Sequence, residues 1–128
     1  ALDRELMNQP RLTDFALRAT PGKLKVLRTM SEYVDRTNWI MTDMPMYAFR
    51  IHRPVPPSVA TFSSKRLATG SLTEKDILTA MREYRPEQVL MARFVIPGLE
   101  DYLKENYTLI LSAEFFRLFI RNDLLPEP

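Results

Sequence analysis

The sequence predicts a small three-layer α/β domain with a mainly parallel sheet, Rossmann-like without the glycine fingerprint, that ends in an antiparallel edge strand. The first observation is that short apolar runs, typical of buried strands, alternate with amphipathic helical stretches. The second is composition, because 128 residues with 45% hydrophobic and 27% charged side chains are typical of one globular domain. No apolar run approaches the roughly 20 residues of a membrane span.

The first half of the chain supplies two helices and one strand. Lys23–Arg36 places apolar residues three and four apart, which predicts an amphipathic helix. Trp39–Asp43 is a short apolar run that ends in an acid and is typical of a buried strand. Pro45 suits the first turn of a helix over Met46–Ile51. Residues 1–22 before this region are expected to form an N-terminal arm or helix.

The second half alternates in the same way. Ser58–Ala68 favours a short helix, and Thr73 is the expected N-cap of a helix that ends before Arg85 and Pro86. The remaining predicted elements are a buried strand, a helix, a third strand and an alternating edge strand, at Val89–Ala92, Pro97–Asn106, Tyr107–Leu111 and Glu114–Arg121. The single α/β domain is therefore expected over residues 23–121, with a frayed tail over 122–128.

Charge is distributed unevenly. The thirty residues between Asp43 and Glu74 contain no acid, and this acid-free segment has a charge of +4 against −2 for the rest of the chain. Its cations are Arg50, Arg53, Lys65 and Arg66, with the only histidine, His52. Such a segment favours contact with an anion, such as a phosphate or a lipid headgroup. The alternative is that its cations are structural and pair with acids elsewhere in the fold.

Asp43 is the most informative single position. It ends the first predicted strand, and ligands of open α/β sheets gather beyond the carboxyl ends of strands. There it would bind a metal, a ribose hydroxyl or a cationic group. The simpler hypothesis, which we favour, is that its carboxylate caps the helix that begins near Pro45.

Several kinds of chemistry are not expected. The chain lacks both phosphate-binding glycine motifs, and its glycines are only three. It has one histidine and no cysteine, so neither a multi-histidine or thiolate metal site nor a thiol nucleophile is available. We expect no catalytic set, no cofactor, no metal and no nucleic-acid partner.

An ordered series of segments carries a family resemblance. The segments are Asn38–Phe49, Arg53–Pro57, Ser63–Arg66, Thr69–Asp76 and Tyr84–Leu90. This series resembles the soluble C-terminal region of polyprenyl-phosphate-dependent membrane glycosyltransferases, relatives of the dolichyl-phosphate-mannose protein mannosyltransferases. In that family a hydrophobic strand ending in Asp precedes a Pro-Pro turn, then a Ser…Arg…Gly-x-Leu-Thr segment, a helix and a Tyr-x-Pro. The resemblance extends over about residues 23–121.

The resemblance implies a non-catalytic accessory domain on the extracytoplasmic face of the cytoplasmic membrane, whose partner is the membrane-embedded part of the same polypeptide. The cations Arg50, Arg53, Lys65 and Arg66 would contact lipid phosphate, headgroups or acceptor. The residues that would position this loop are Asp43, Pro56, Pro57 and Ser63.

Two other functions stay open. One is a free-standing α/β enzyme or binding protein that holds a small phosphorylated ligand beyond Asp43, near Arg93. The other is a protein-interaction domain that pairs its predicted edge strand, Phe116–Arg121, with a partner strand.

Overall fold

A computed structural model describes residues 20–126. The helices are α1 (Pro21–Glu32), α2 (Pro45–Arg50), α3 (Ser64–Thr69), α4 (Glu74–Tyr84) and α5 (Pro97–Asn106). The strands are β1 (Ile40–Thr42), β2 (Gln88–Met91), β3 (Tyr107–Ala113) and β4 (Phe116–Arg121), and short 3₁₀ turns cover Val34–Arg36, Pro57–Val59 and Asn122–Leu124. The α/β class is confirmed.

The described strands form one mixed sheet in the order β1-β2-β4-β3. The prediction of a mainly parallel sheet is wrong, because β1–β2 is parallel whereas β2–β4 and β3–β4 are antiparallel. The physical reason is that β4 turns back tightly from β3 at Glu114 and Phe115 and inserts between β3 and β2, so that β3 pairs with β4 and not with β2. Helices still cover both faces, so the domain has three layers.

The prediction that Phe116–Arg121 is the edge strand is also wrong. Strand β4 is an inner strand, with Leu118 opposite Leu90 of β2 on one side and Leu111 of β3 on the other. The alternation of apolar and charged residues along Phe116–Arg121 suggested that one face of the strand is exposed to solvent. That face, which carries Phe119 and two arginines, is in fact covered, because Phe119 is buried. The edges of the sheet are β1 and β3.

Alternate residues of the strands pack into two hydrophobic clusters, one on each face of the sheet. Helices α1 and α2 cover the face of Ile40 and Leu90, and α4 and α5 cover the face of Met41 and Val89. Val55, in the acid-free segment, packs against both clusters. The backbone N–H of Ile40 donates to the carbonyl of Pro54 at 3.0 Å. The acid-free segment therefore wraps around the β1 edge and passes from one face to the other.

Local signals positioned most of the helices well, but the helix predicted over Ser58–Ala68 is confined to α3, Ser64–Thr69. Thr73 is the N-cap of α4, as predicted, and forms a capping box with Asp76. The helix predicted over Lys23–Arg36 is divided, since α1 ends at Glu32 and a 3₁₀ turn follows at Val34–Arg36.

The predicted arm and tail lie at the two ends of the chain, and the structure describes only part of each. Most of the expected N-terminal arm, residues 1–19, lies outside the described residues, as do residues 127 and 128 of the expected tail. Helix α1 begins at Pro21, within the range assigned to the arm, and is capped by Thr20.

Candidate functional site

Asp43 lies at the carboxyl end of the parallel pair and is completely buried. Its Oδ1 accepts a hydrogen bond from the backbone N–H of Ala92 at 2.9 Å. Its Oδ2 accepts from the N–H groups of Arg93 at 2.7 Å and Phe94 at 2.9 Å. Three amides of the loop that leaves β2 thus stabilise one carboxylate, each bond being charge-assisted. Asp43 ties the ends of β1 and β2 together.

The hypothesis that Asp43 caps the following helix is wrong. Met44 is the N-cap residue of α2, and no side chain caps that helix. A helix N-terminus offers a capping side chain the N–H of its second or third residue, whereas the loop after β2 presents three successive N–H groups to Asp43. The amides of the loop after β2 therefore bind the Asp43 carboxylate in place of the first-turn amides of α2.

Glu87 is the corresponding carboxylate at the opposite end of the same strands, and sequence reasoning missed it. Its Oε1 accepts from the backbone N–H groups of Asn38 at 3.0 Å and Trp39 at 3.1 Å. Its Oε2 accepts from Nδ2 of Asn38 at 3.0 Å. Glu87 is 6% exposed and directly precedes β2. An acid two residues before the apolar run Val89–Met91 was the available signal, because burial forces such an acid to find donors.

Arg53, predicted to contact an anion, is bound to this chain's own backbone. Its Nε donates to the carbonyls of Thr37 at 2.8 Å and Val34 at 3.2 Å. Its terminal nitrogens donate to Val34 at 3.0 Å and His52 at 3.0 Å. The guanidinium therefore joins the acid-free segment to the loop before β1.

Arg66, the second guanidinium of this kind, is held in the same way. It donates to the carbonyl of Thr61 at 2.7 Å and to Oγ and the carbonyl of Ser71 at 3.1 and 3.2 Å. It lines an open polar depression of about 410 Å³ together with Ser58, Ser71, Lys75, Asp76 and Glu83. Because its two cations, Arg66 and Lys75, are balanced by two acids, Asp76 and Glu83, the lining of this depression has no net positive charge to attract an anion.

The four predicted cations do not form one patch. Arg50 is the last residue of α2, on the α1–α2 face of the sheet. Lys65 is exposed on α3, whose Leu67 packs against the opposite cluster. The structure therefore separates the cations in two groups, because the segment that carries them wraps around the β1 edge.

The predicted loop-positioning residues lie along this wrap. Pro56 is buried, and Pro57 begins a 3₁₀ turn. Ser63 is the N-cap of α3, and its Oγ accepts from the N–H of Arg66 at 3.2 Å. Each has a local structural role next to the β1 edge.

A second open depression, of about 210 Å³, lies where β3 begins and β4 ends. There Arg121 and Asp123 form a two-bond ion pair, with Nε–Oδ1 at 2.5 Å and a terminal nitrogen to Oδ2 at 3.0 Å. Hydrogen bonding to Arg121 holds the pKa of Asp123 below its usual value. Burial raises the pKa of the neighbouring Tyr107, whose hydroxyl donates to the carbonyl of Pro86 at 2.5 Å.

The described residues contain neither a metal-binding cluster nor a helix that could span a membrane. Between residues 20 and 126, no group of three or more His, Asp or Glu side chains is arranged to hold a metal ion. Over the same range, no helix has the length and hydropathy needed to cross a bilayer.

Comparison with protein-family models, with curated proteins and with solved structures found no significant match. The family resemblance carried by the ordered motif series therefore stays a prediction.

Proposed function

We propose that this chain is a non-catalytic accessory domain of a membrane glycosyltransferase that transfers a sugar from a polyprenyl-phosphate carrier. Its partner is the membrane-embedded part of the same polypeptide, at the extracytoplasmic face of the cytoplasmic membrane. The ordered series of motifs between Asn38 and Leu90 supports the family assignment. The transfer chemistry then belongs to the membrane-embedded part.

The observation that carries the non-catalytic role is the environment of Asp43. A carboxylate that accepts three backbone hydrogen bonds and is fully buried has its lone pairs directed at the protein. It is therefore poorly placed to act as a base or to bind a ligand. Arg53 and Arg66 likewise direct their donors at backbone carbonyls.

The motif segments also stabilise one another. Trp39, from the first segment, packs edge-on against Tyr84 of the last, with 4.7 Å between ring centroids. Gly70 ends α3 in the left-handed conformation, at φ +77°, which glycine adopts without steric cost. A series of residues with structural roles is what a scaffold domain requires, and this supports the proposal.

For contact with lipid phosphate or headgroups, Lys65 is the best placed of the predicted cations. It is exposed on α3, and its ammonium would add roughly 1 kcal/mol near an anionic surface. The internal bonds of Arg53 and Arg66 give these two residues a structural role instead.

The test is to read the coding sequence that precedes Ala1 and to assay the complete polypeptide in membranes. We expect multiple hydrophobic spans upstream, and transfer of labelled sugar from polyprenyl-phosphate carriers by those membranes. In the complete polypeptide, Lys65→Gln should weaken binding to vesicles that contain anionic lipid. Lys104→Gln, which removes another exposed lysine, is the control and should not. A coding sequence without such spans, or membranes without transfer, would contradict the proposal.

A second candidate function is supported by the β3 edge. Strand β3 contains no charged residue, and Leu109 on it is 47% exposed. Native edge strands usually carry charges that block pairing with another chain. The interaction surface predicted on Phe116–Arg121 would therefore move to Tyr107–Ala113, where an extended partner strand could be added.

This candidate predicts concentration-dependent self-association or partner binding. Leu109→Lys should abolish it without a large loss of stability, because the side chain is half exposed. Thr79→Lys, on the exposed side of α4, is the control. A chain that sediments as a monomer at all concentrations and binds no partner strand would count against this function.

A further inference from the structure

Three large apolar side chains are exposed at the end of the sheet where Asp43 lies. The exposed fractions are 81% for Phe115, 73% for Val95 and 47% for Met46. Each layer of the domain supplies one of them, since Met46 is on α2, Phe115 is in the β3–β4 turn and Val95 is in the loop before α5. We call these three residues the apolar end.

The strand register brings Val95 and Phe115 to the same end. Met91, the last residue of β2, is opposite Arg117 of β4. Val95 follows Met91 closely along the chain, and Phe115 closely precedes Arg117. Antiparallel pairing therefore places the loop after β2 beside the β3–β4 turn.

Two contacts bring Met46 to this end as well. Tyr47, its neighbour on α2, packs against Phe116 with 5.1 Å between ring centroids. Asp43, just before α2, binds the three amides that directly precede Val95. The apolar end is thus a fixed part of the fold.

Helix α1 also begins at this end. Gly22, in the first turn of α1, lies against Glu114 of the β3–β4 turn, and a Cβ on it would be 2.8 Å from Cγ of Glu114. The first turn of α1 is therefore part of the apolar end. Helix α5 ends at the other end, where Tyr107 is opposite Arg121.

The charges around the apolar end suit an anionic surface. Asp43 binds loop amides, Glu100 pairs with Arg117 at 2.6 Å, and Glu74 accepts from the N–H of Gly98. Glu114, which is exposed beside Phe115, lies against the first turn of α1, where the helix dipole stabilises a carboxylate. Arg93, the middle one of the three residues whose N–H groups bind Asp43, has an exposed side chain that lies over the ring of Phe94 at 4.9 Å.

We propose that the apolar end docks on a lipid bilayer, with Met46, Val95 and Phe115 at the boundary between headgroups and acyl chains and with Arg93 beside the lipid phosphates. The proposal rests on the proposed function, which places the membrane-embedded part before residue 1. One protruding side chain from each layer suits a planar surface. Asp43 then contributes to docking indirectly, because it fixes the loop that carries Arg93 and Val95.

The chain contains no cysteine, so a single introduced cysteine can be labelled specifically. Val95→Cys and Phe115→Cys are labelled with an environment-sensitive fluorophore and titrated with vesicles of phosphatidylcholine and phosphatidylglycerol. Glu32→Cys and Glu105→Cys, exposed near the ends of α1 and α5 at the opposite end, are the controls. We expect a blue shift at residues 95 and 115 and none at residues 32 and 105.

A binding measurement complements the labels. Phe115→Ser should weaken partition into these vesicles by about tenfold or more, which corresponds to at least about 1.4 kcal/mol, because it removes an aromatic ring from the lipid boundary. Leu109→Ser is the matched control, because Leu109 is as exposed as Met46 but lies on β3 away from the apolar end. It should leave the partition unchanged, and both variants should unfold at the wild-type temperature.

The outcomes separate this inference from the proposed function. No response to vesicles, a response led by residues 32 and 105, or self-association that needs Phe115 would overturn the inference, whether or not the complete polypeptide transfers sugar. A blue shift confined to residues 95 and 115, with no upstream spans, would support the docking surface and contradict the proposed function.

Discussion

Asp43 and Glu87 tie together opposite ends of the same two parallel strands, and their donors differ. The carboxylate of Asp43 accepts only from backbone N–H groups, those of residues 92–94. The carboxylate of Glu87 accepts from two backbone N–H groups and from the side-chain amide of Asn38. A backbone N–H has no alternative orientation, whereas an Asn amide can rotate to present its oxygen. The Asp43 end therefore requires a carboxylate, and the Glu87 end tolerates an amide.

The largest effect is expected for Asp43→Asn. Its new NH₂ must face at least one of three N–H donors, which leaves that donor buried and unpaired. We expect the free energy of unfolding to fall by about 3 kcal/mol. Urea denaturation followed through Trp39, the single tryptophan, measures it. Asp101→Asn, at an exposed position on α5, is the control, and a loss below about 1 kcal/mol would contradict the account.

A smaller effect is expected for Glu87→Gln. The Gln oxygen can accept from the N–H groups of Asn38 and Trp39, and its NH₂ can donate to a rotated Asn38 side chain. Only charge assistance is lost, so the free energy of unfolding should fall by about 1 kcal/mol. Glu83→Gln, exposed on α4, is the control. A loss equal to that of Asp43→Asn would remove the distinction between the two ends.

High pH should weaken both ends through buried tyrosines. Burial raises the pKa of Tyr107, near Glu87, above its usual range and raises that of Tyr47, near the apolar end, to about 12. A pKa raised by folding stabilises the protein fully below the unfolded pKa of about 10, and this contribution is lost as pH rises above it. Wild-type stability should therefore decline above about pH 10.

Tyr107→Phe should make this decline shallower, and Tyr47→Phe should do so to a smaller extent. Urea denaturation at a series of pH values between about 9 and 11 gives the slopes. Tyr33→Phe, on a half-exposed side chain after α1, is the control for loss of a hydroxyl. Identical slopes for all four proteins would show that the buried hydroxyls do not resist ionisation.

The smallest effects concern an ion pair near each end. Arg117 and Glu100, near the apolar end, are 28% and 20% exposed, whereas Arg121 and Asp123 are 18% and 54% exposed. Glu100→Gln should lower the free energy of unfolding by less than about 1 kcal/mol and Asp123→Asn by about 0.5 kcal/mol or less. Both losses should shrink in high salt.

Acid should remove the Asp123 contribution. The pair holds the pKa of Asp123 below its ordinary value. Its stabilisation is therefore present above about pH 4 and is lost as pH falls through the lowered pKa. At neutral pH the less exposed pair should contribute more. A smaller loss of unfolding free energy in Glu100→Gln than in Asp123→Asn would contradict this expectation.

Local signals in the sequence determined much of the fold. Thr73 and Asp76 marked the start of α4, and the continuous apolar run around Val89 marked β2. The sheet order was not predictable in this way, because the alternation of Phe116–Arg121 is the same for an inner strand with ion-paired arginines as for an edge strand.

The candidate site was predictable in position but not in partners. Asp43 was singled out, yet its donors lie 49–51 residues further along the chain. Arg53 and Arg66 were identified by counting charges, but their acceptors are backbone carbonyls, which no charge pattern reveals. In both cases the partners are set by the tertiary fold and not by the neighbouring sequence.

Amide hydrogen exchange at Ala92, Arg93 and Phe94 tests the central claim most directly, because these three N–H groups lie outside the helices and strands. If the buried Asp43 carboxylate binds them, they should exchange as slowly as the amides of β2 in the wild-type protein, and at least one should become fast in Asp43→Asn. Exchange of all three at the rate of an open loop in the wild type would show that Asp43 does not hold this loop, and the account of the site would be wrong.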